Sequence, residues 1–172
     1  MVIIYPAPES YQWIESEGGP LVVLPEEALG AWRGTDGDAP DSDYARACAV
    51  DGYAAVIPAG PAEALVLGDE PAATTYLPEH RLFVRWCAAE SEAALFAALG
   101  PALEYARWEE GLSWRTPGAA VLLDAAAPGA GAGPRERLTL DLAPGRYAVR
   151  AAWVEPDPLT WLTLVQLIPE AD

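Results

Sequence analysis

The feature that most constrains this chain is a period-two alternation in its C-terminal third. Leu138, Leu140 and Leu142 alternate with Arg137, Thr139 and Asp141; Tyr147, Val149, Ala151 and Trp153 alternate with Arg146, Ala148, Arg150 and Ala152. A repeat of two sends successive side chains to opposite faces of a pleated strand, and a helix cannot produce it. Trp161–Ile168 is apolar on both faces, the pattern of a central strand. Pro144-Gly145 and Pro156-Asp157-Pro158 supply the connections. The alternation predicts burial for Tyr147, Val149, Trp153 and Leu164, and for Trp86 on an earlier strand.

That earlier strand is Arg81–Cys87, with Leu82, Val84 and Trp86 on one face. Tyr53–Pro58, Ala64–Leu67, Thr74–Leu77, Tyr105–Glu109, Leu112–Arg115 and Ala119–Asp124 read as further short strands between Gly and Pro breaks. Gln12–Glu15 and Leu21–Leu24 flank Gly18-Gly19-Pro20 and predict a hairpin. Pro25–Trp32 reads as a short helix with Pro and two Glu in its first turn, and Asp43–Cys48 as a helical turn. Ser91 caps a clearer helix that Gly100-Pro101 should stop. Ala125–Gly133, extended to Pro134, is poor in packing side chains and predicts a flexible loop. The expectation is one α+β domain over residues 1–172. An antiparallel sheet, sandwich-like or partly rolled, dominates it, with two or three short helices.

Charge narrows the functional classes. The 172 residues carry 26 acids and 10 Arg, with no Lys, for a net charge of −16. Chemistry that needs Lys is excluded, and so is sustained binding to nucleic acid, which requires a basic surface. Acids concentrate early: residues 1–80 hold 14 acids against 2 Arg, and residues 81–172 hold 12 against 8. The densest run, Asp36, Asp38, Asp41 and Asp43, has the Gly/Pro/Asp composition of a solvated loop. The N-terminal residues do not read as a secretion signal and no apolar stretch would span a membrane, so the expected compartment is the cytoplasm, with Cys48 and Cys87 reduced.

Catalytic constellations are sparse. His80 is the single histidine, and any Ser or Cys triad must use it; an exposed turn residue is the plainer reading. No Gly-x-Ser-x-Gly elbow occurs, and Pro134 occupies the third glycine position of the Gly129-Ala-Gly131-Ala-Gly133 tract, so a dinucleotide fingerprint fails. Two Cys and one His do not make a zinc site, and the Asp loop lacks the order of a calcium loop. No metal or cofactor is expected. Trp13, Trp32, Trp108 and Trp114 lie beside charged or turn residues and can be read as half-buried edges or as contact residues, with core the better reading for any one of them.

Several segments, taken in order, resemble one family. They are Trp13-Ile14-Glu15-Ser16-Glu17-Gly18-Gly19-Pro20, Leu21–Pro25 and Trp32-Arg33-Gly34, then Asp43-Tyr44-Ala45-Arg46-Ala47-Cys48 and Leu67-Gly68-Asp69-Glu70-Pro71. Val84-Arg85-Trp86 and Pro144-Gly145-Arg146-Tyr147 complete the set. Together they are similar to the immunity protein 21 family, from about Gln12 to Ile168. The resemblance implies a cytoplasmic inhibitor, not an enzyme, that binds and neutralises the cognate domain of a bacterial polymorphic toxin. A basic toxin domain would suit a −16 protein. On that reading the Asp36–Asp43 loop with Glu26, Glu27 and Asp51 steers the toxin, and Trp32 and Tyr44 are the buried anchors. A monomer is expected. The alternatives are a small metal-assisted hydrolase built on the Asp36–Asp43 cluster and an acidic ligand-binding module.

Overall fold

Ten strands form two five-stranded antiparallel sheets in the computed structural model, which describes residues 11–36, 41–68 and 70–171. The first sheet comprises β1 (Leu21–Pro25), β2 (Ala54–Ala59), β3 (Ala62–Leu67), β7 (Ala120–Asp124) and β8 (Arg137–Leu140), in the order β2-β3-β1-β7-β8. The second comprises β4 (Ala73–Leu77), β5 (Leu82–Ala88), β6 (Glu109–Thr116), β9 (Gly145–Asp157) and β10 (Thr160–Pro169), in the order β4-β5-β10-β9-β6. The helices are α1 (Asp43–Cys48) and α2 (Glu92–Tyr105), with short 3₁₀ turns at Glu26–Ala31 and Gly129–Gly131. This is a single α+β domain of open antiparallel sheets, as the alternation predicts. Among the described residues no helix is long and apolar enough to cross a membrane.

The sheets face one another across a shared core. Leu21, Val23, Leu65 and Leu122 of the first pack against Phe83, Trp114, Tyr147, Val149 and Val165 of the second. The reverse face of the first sheet, with Val22, Leu24 and Val66, is covered by Trp32, Ala28 and Ala47. The reverse face of the second is covered by α2, through Leu95, Phe96 and Leu99 against Leu82, Val84, Ala152 and Leu164. Both central strands therefore bury both faces, which is why β1 and β10 read as continuous apolar runs.

Four expectations are corrected. Gln12–Glu15 does not pair with β1: Ile14 bridges Thr74 of the other sheet, at 2.8 and 2.9 Å. Because β1 is apolar on both sides it lies between β3 and β7, leaving no vacancy for a hairpin partner. Helix α2 runs through Gly100-Pro101 to Tyr105, so Tyr105–Glu109 is not a strand. Pro101 removes one backbone donor, and Ala102 and Leu103 beyond it pack on the sheet and hold the final turn. The Ala125–Gly133 loop follows β7, with Ala125 N–H donating to Pro20 O at 3.1 Å and Gly129 N–H to Trp32 O at 2.9 Å. Its small residues allow that close approach, since a Cβ on Gly129 would collide with the Leu29 carbonyl.

The remaining two corrections concern tryptophans. Tyr147, Val149 and Leu164 are buried as expected, but Trp86 is half-buried, edge-on to Trp13 at 5.3 Å. Trp153 is 43% exposed. Its face assignment holds, because it continues the Tyr147-Val149-Ala151 row. The first sheet ends before reaching it.

Candidate functional site

The registers define two ends of the sandwich. Leu21, Leu67 and Ala54 lie side by side at one end of the first sheet, and Pro25, Ala59, Ala62 and Ala120 lie toward the other. At the Leu21 end, chain segments far apart in sequence enclose a cleft of ≈ 330 Å³. Its walls come from the Gly18-Gly19-Pro20 turn, from Tyr44 and Cys48 of α1, from Asp51-Gly52, and from Gly68, Glu70 and Pro71. Three of these walls belong to segments that carry the family resemblance.

Local chemistry fixes each wall. Ser16 Oγ accepts from Gly18 N–H at 3.1 Å and donates to Gly19 O, so the hydroxyl closes the turn that Gly18 takes at φ +133°. Gly19 has no Cβ because the Tyr44 ring occupies that space. Helix α1 starts at Ser42, whose Oγ accepts from Ala45 N–H at 3.1 Å. Tyr44, Ala47 and Cys48 then share one helix face, with Ala47 buried on the sheet. The contact with Cys48 and partial desolvation push the Tyr44 phenol above its ordinary range.

The third wall is held by a buried cation. Arg85 projects from β5 into the space between the sheets, where it is 1% exposed. It donates to Gly68 O at 2.5 Å, Glu70 O at 2.7 Å and Thr74 Oγ1 at 3.2 Å. A planar guanidinium can satisfy several acceptors at once. The Arg of Val84-Arg85-Trp86 thus positions the backbone at Gly68 and Glu70, so a fourth resemblance segment reaches the same place from beneath.

Asp51 and Gly52 also border a second, smaller groove of ≈ 170 Å³, with Glu109, Glu110, Leu112 and Ala151 on its far side. Gly111, at φ +112°, breaks the β6–β9 register between Glu109 and Leu112. Asp51, Glu70, Glu109 and Glu110 are all exposed, and among the described residues none makes an ion pair.

The site residues expected from sequence do not form one patch. Tyr44 and Asp51 border the cleft. Asp36 and Asp41 are exposed on the loop before α1, and Asp38 lies outside the described residues. Asp43 is occupied, accepting from Arg33 N–H at 2.8 Å and pairing with Arg46 at 2.7 Å. Trp32 is core: it is 2% exposed, and its indole N–H donates to Ala125 O at 3.0 Å. Glu26 and Glu27 are exposed beyond the opposite end of β1, roughly 17 Å away along a five-residue strand.

The other tryptophans divide similarly. Trp114 is buried, Trp13 donates to Glu92 Oε1 at 2.9 Å, and Trp108 lies under the Arg150 guanidinium at 4.2 Å. His80 is in the β4–β5 turn, at the far end of β5 from Cys87. Among the described residues no three His, Cys, Asp or Glu side chains are grouped to hold a metal. Sequence reasoning missed Glu70, Glu109 and Glu110. For Glu70 the available signal was the absence of any Arg between Arg46 and Arg81; Glu109 and Glu110 lie between Arg107 and Arg115 and carried no such signal.

No match was found among curated proteins or solved structures. The family model described as immunity protein 21 matches residues 12–160, which include every wall of the cleft, Arg85 and both grooves. The chain belongs to the immunity protein 21 family.

Proposed function

We propose that this chain neutralises a cognate toxin domain in the cytoplasm by covering its active or substrate-binding surface, and that the acidic end of the sandwich is the docking face. Family membership supports a toxin-binding immunity role in general. One observation carries the choice of face: Asp51, Glu70, Glu109 and Glu110 come from distant segments to one end, exposed and without ion pairs among the described residues. Such a field attracts a basic partner and disfavours acidic ones. Asp36 and Asp41 contribute to long-range steering, whereas Asp43 holds the α1 entry. Tyr44 supplies an aromatic wall of the cleft and Tyr53 lines the second groove, whereas Trp32 is committed to the core.

The test pairs survival with kinetics. Cells expressing the toxin encoded beside this chain should survive with the wild type. An Asp51→Arg/Glu70→Arg variant should associate at least about tenfold more slowly at low salt, with the gap narrowing as salt is added. A variant that keeps the wild-type association rate at low salt would put the docking face elsewhere.

A further inference from the structure

Next to the acidic grooves the β9–β10 hairpin extends past the first sheet and exposes three large apolar side chains. Trp153 is 43%, Trp161 42% and Leu159 61% exposed, and the two indoles lie 6.4 Å apart. We propose that this tip carries the anchors of the toxin interface, inserting Trp153, Leu159 and Trp161 into an apolar depression on a basic face of the toxin domain. The inference rests on the immunity reading above and adds to it the residues that set the lifetime of the complex.

Position is the first argument. Trp153 follows Ala151 on the same face of β9, roughly 7 Å further along, and Ala151 lines the groove with Asp51, Glu109 and Glu110. Thr163 pairs with Trp153, and its hydroxyl lies 3.4 Å from Cys87 Sγ. Burial is the main cause that pushes the Cys87 thiol up, and Glu70 is among the charges adding to it. The aromatic tip is thus continuous with the acidic end.

Charge identifies the occupant. From Ala151 to the C-terminus the chain has no basic residue, and Glu155 and Asp157 are exposed on the hairpin itself. A second copy docked face to face would set these acids against their own equivalents, since a two-fold contact is self-complementary. A basic partner meets no such repulsion. Aromatics ringed by polar groups that exclude water are the usual energetic centre of an interface.

Rigidity is the third argument. Asp157 Oδ1 accepts from Leu159 N–H at 2.9 Å, and Pro156 and Pro158 flank that turn. A tip already held in shape loses little freedom on binding.

The experiment measures binding of the catalytically inactivated toxin domain encoded beside this chain, with melting curves for every variant. Trp153→Ala/Trp161→Ala and, separately, Leu159→Arg should melt within a few degrees of wild type. Each should dissociate at least about tenfold faster while associating within about threefold of wild type. If the tryptophan variant melts early, Leu159→Arg decides, because that side chain is on an exposed turn. Wild-type dissociation from a folded variant would overturn the proposal. So would a wild-type dimer that the tryptophan pair abolishes, since the occupant would then be a second copy. A wild type that neither binds nor protects overturns the immunity reading itself. One that does both, with kinetics indifferent to the tip, overturns only this inference.

Discussion

The two ends of the sandwich are made by the same strands and closed in different ways. At the end away from the cleft, Glu63 clasps the sheets together: its backbone carbonyl accepts the Trp114 indole N–H at 2.9 Å, and its side chain accepts Arg115 N–H at 3.3 Å. Within the second sheet, Ser113 links Arg146 and Glu170 across β6, β9 and the end of β10, at 3.3 and 3.4 Å. Acids and Arg alternate there. At the acidic end the sheets part into two grooves and the tryptophans face outward. Among the described residues its exposed carboxylates make no ion pair. The difference teaches that hydrogen bonds between the sheets close one end, while the other gathers exposed carboxylates and outward-facing tryptophans into a surface a partner can complete.

The most severe way to break this comparison is to exchange the roles of its tryptophans. Trp114→Ala removes a fully buried indole and its hydrogen bond, and should cost about 3–5 kcal/mol of stability. Trp153→Ala should cost only about 1 kcal/mol, because much of that side chain is already in water. Chemical denaturation measures both. Similar midpoints for the two variants would mean that the acidic end is structural as well.

Arg85 tests whether the cleft is built or incidental. Arg85→Met leaves Gly68 O and Glu70 O without their charged donor and should cost about 3 kcal/mol. Arg85→Lys should recover part of that, since an ammonium cannot reproduce the planar fork. Binding should weaken in both variants beyond what the stability loss explains, because the wall at Gly68 and Glu70 is no longer held. Denaturation and binding measured on the same samples separate the effects. Unchanged affinity in a folded Arg85→Lys protein would make the wall irrelevant to the partner.

These contrasts also explain what the sequence could disclose. Alternation in β5 and β9 reveals which side chains share a face, because the pleat alone sets it. It does not reveal where the opposing sheet stops. Val149 and Trp153 therefore read alike in the sequence, yet Val149 is buried and Trp153 is not. Ser42 and Ser91 mark both helix starts, since capping is local. The end of α2 depends on packing beyond Pro101 and is not local. At the site, Tyr44 and Asp51 were legible because a charged helix and turn stand out. Glu109 and Glu110 were not, because a register break at Gly111 and a neighbouring sheet bring them to Asp51. Trp32 was ambiguous until its indole found Ala125 O.

Charge reversal sharpens the comparison with a smaller effect. Glu26→Arg/Glu27→Arg, at the clasped end, should leave toxin association within about twofold of wild type. Glu109→Arg/Glu110→Arg, at the acidic end, should slow it about tenfold at low salt. Both variants change net charge equally, so a general field effect would slow them alike. Equal slowing in stopped-flow association would erase the distinction between the ends.

The gentlest probe uses the two thiols, which sample the acidic end at different depths. Cys48 is exposed beside the cleft, and Cys87 is half-buried behind Glu70. Near neutral pH an alkylating reagent should modify Cys48 at least about tenfold faster, since reaction needs an accessible thiolate. Desolvation raises the Cys87 thiol pKa in the folded protein, with a smaller opposing contribution from Thr163. A group that holds its proton more tightly when folded stabilises fully below its unfolded pKa and loses that contribution as pH rises toward the folded value. Stability should therefore fall through the alkaline range by slightly more in wild type than in Cys87→Ala, once the substitution's own cost is subtracted at neutral pH. Bound toxin should slow labelling of Cys48, because the partner covers the cleft it borders. Cys48 labelling unaffected by saturating toxin would place the contact away from the cleft, whatever the tryptophan tip does.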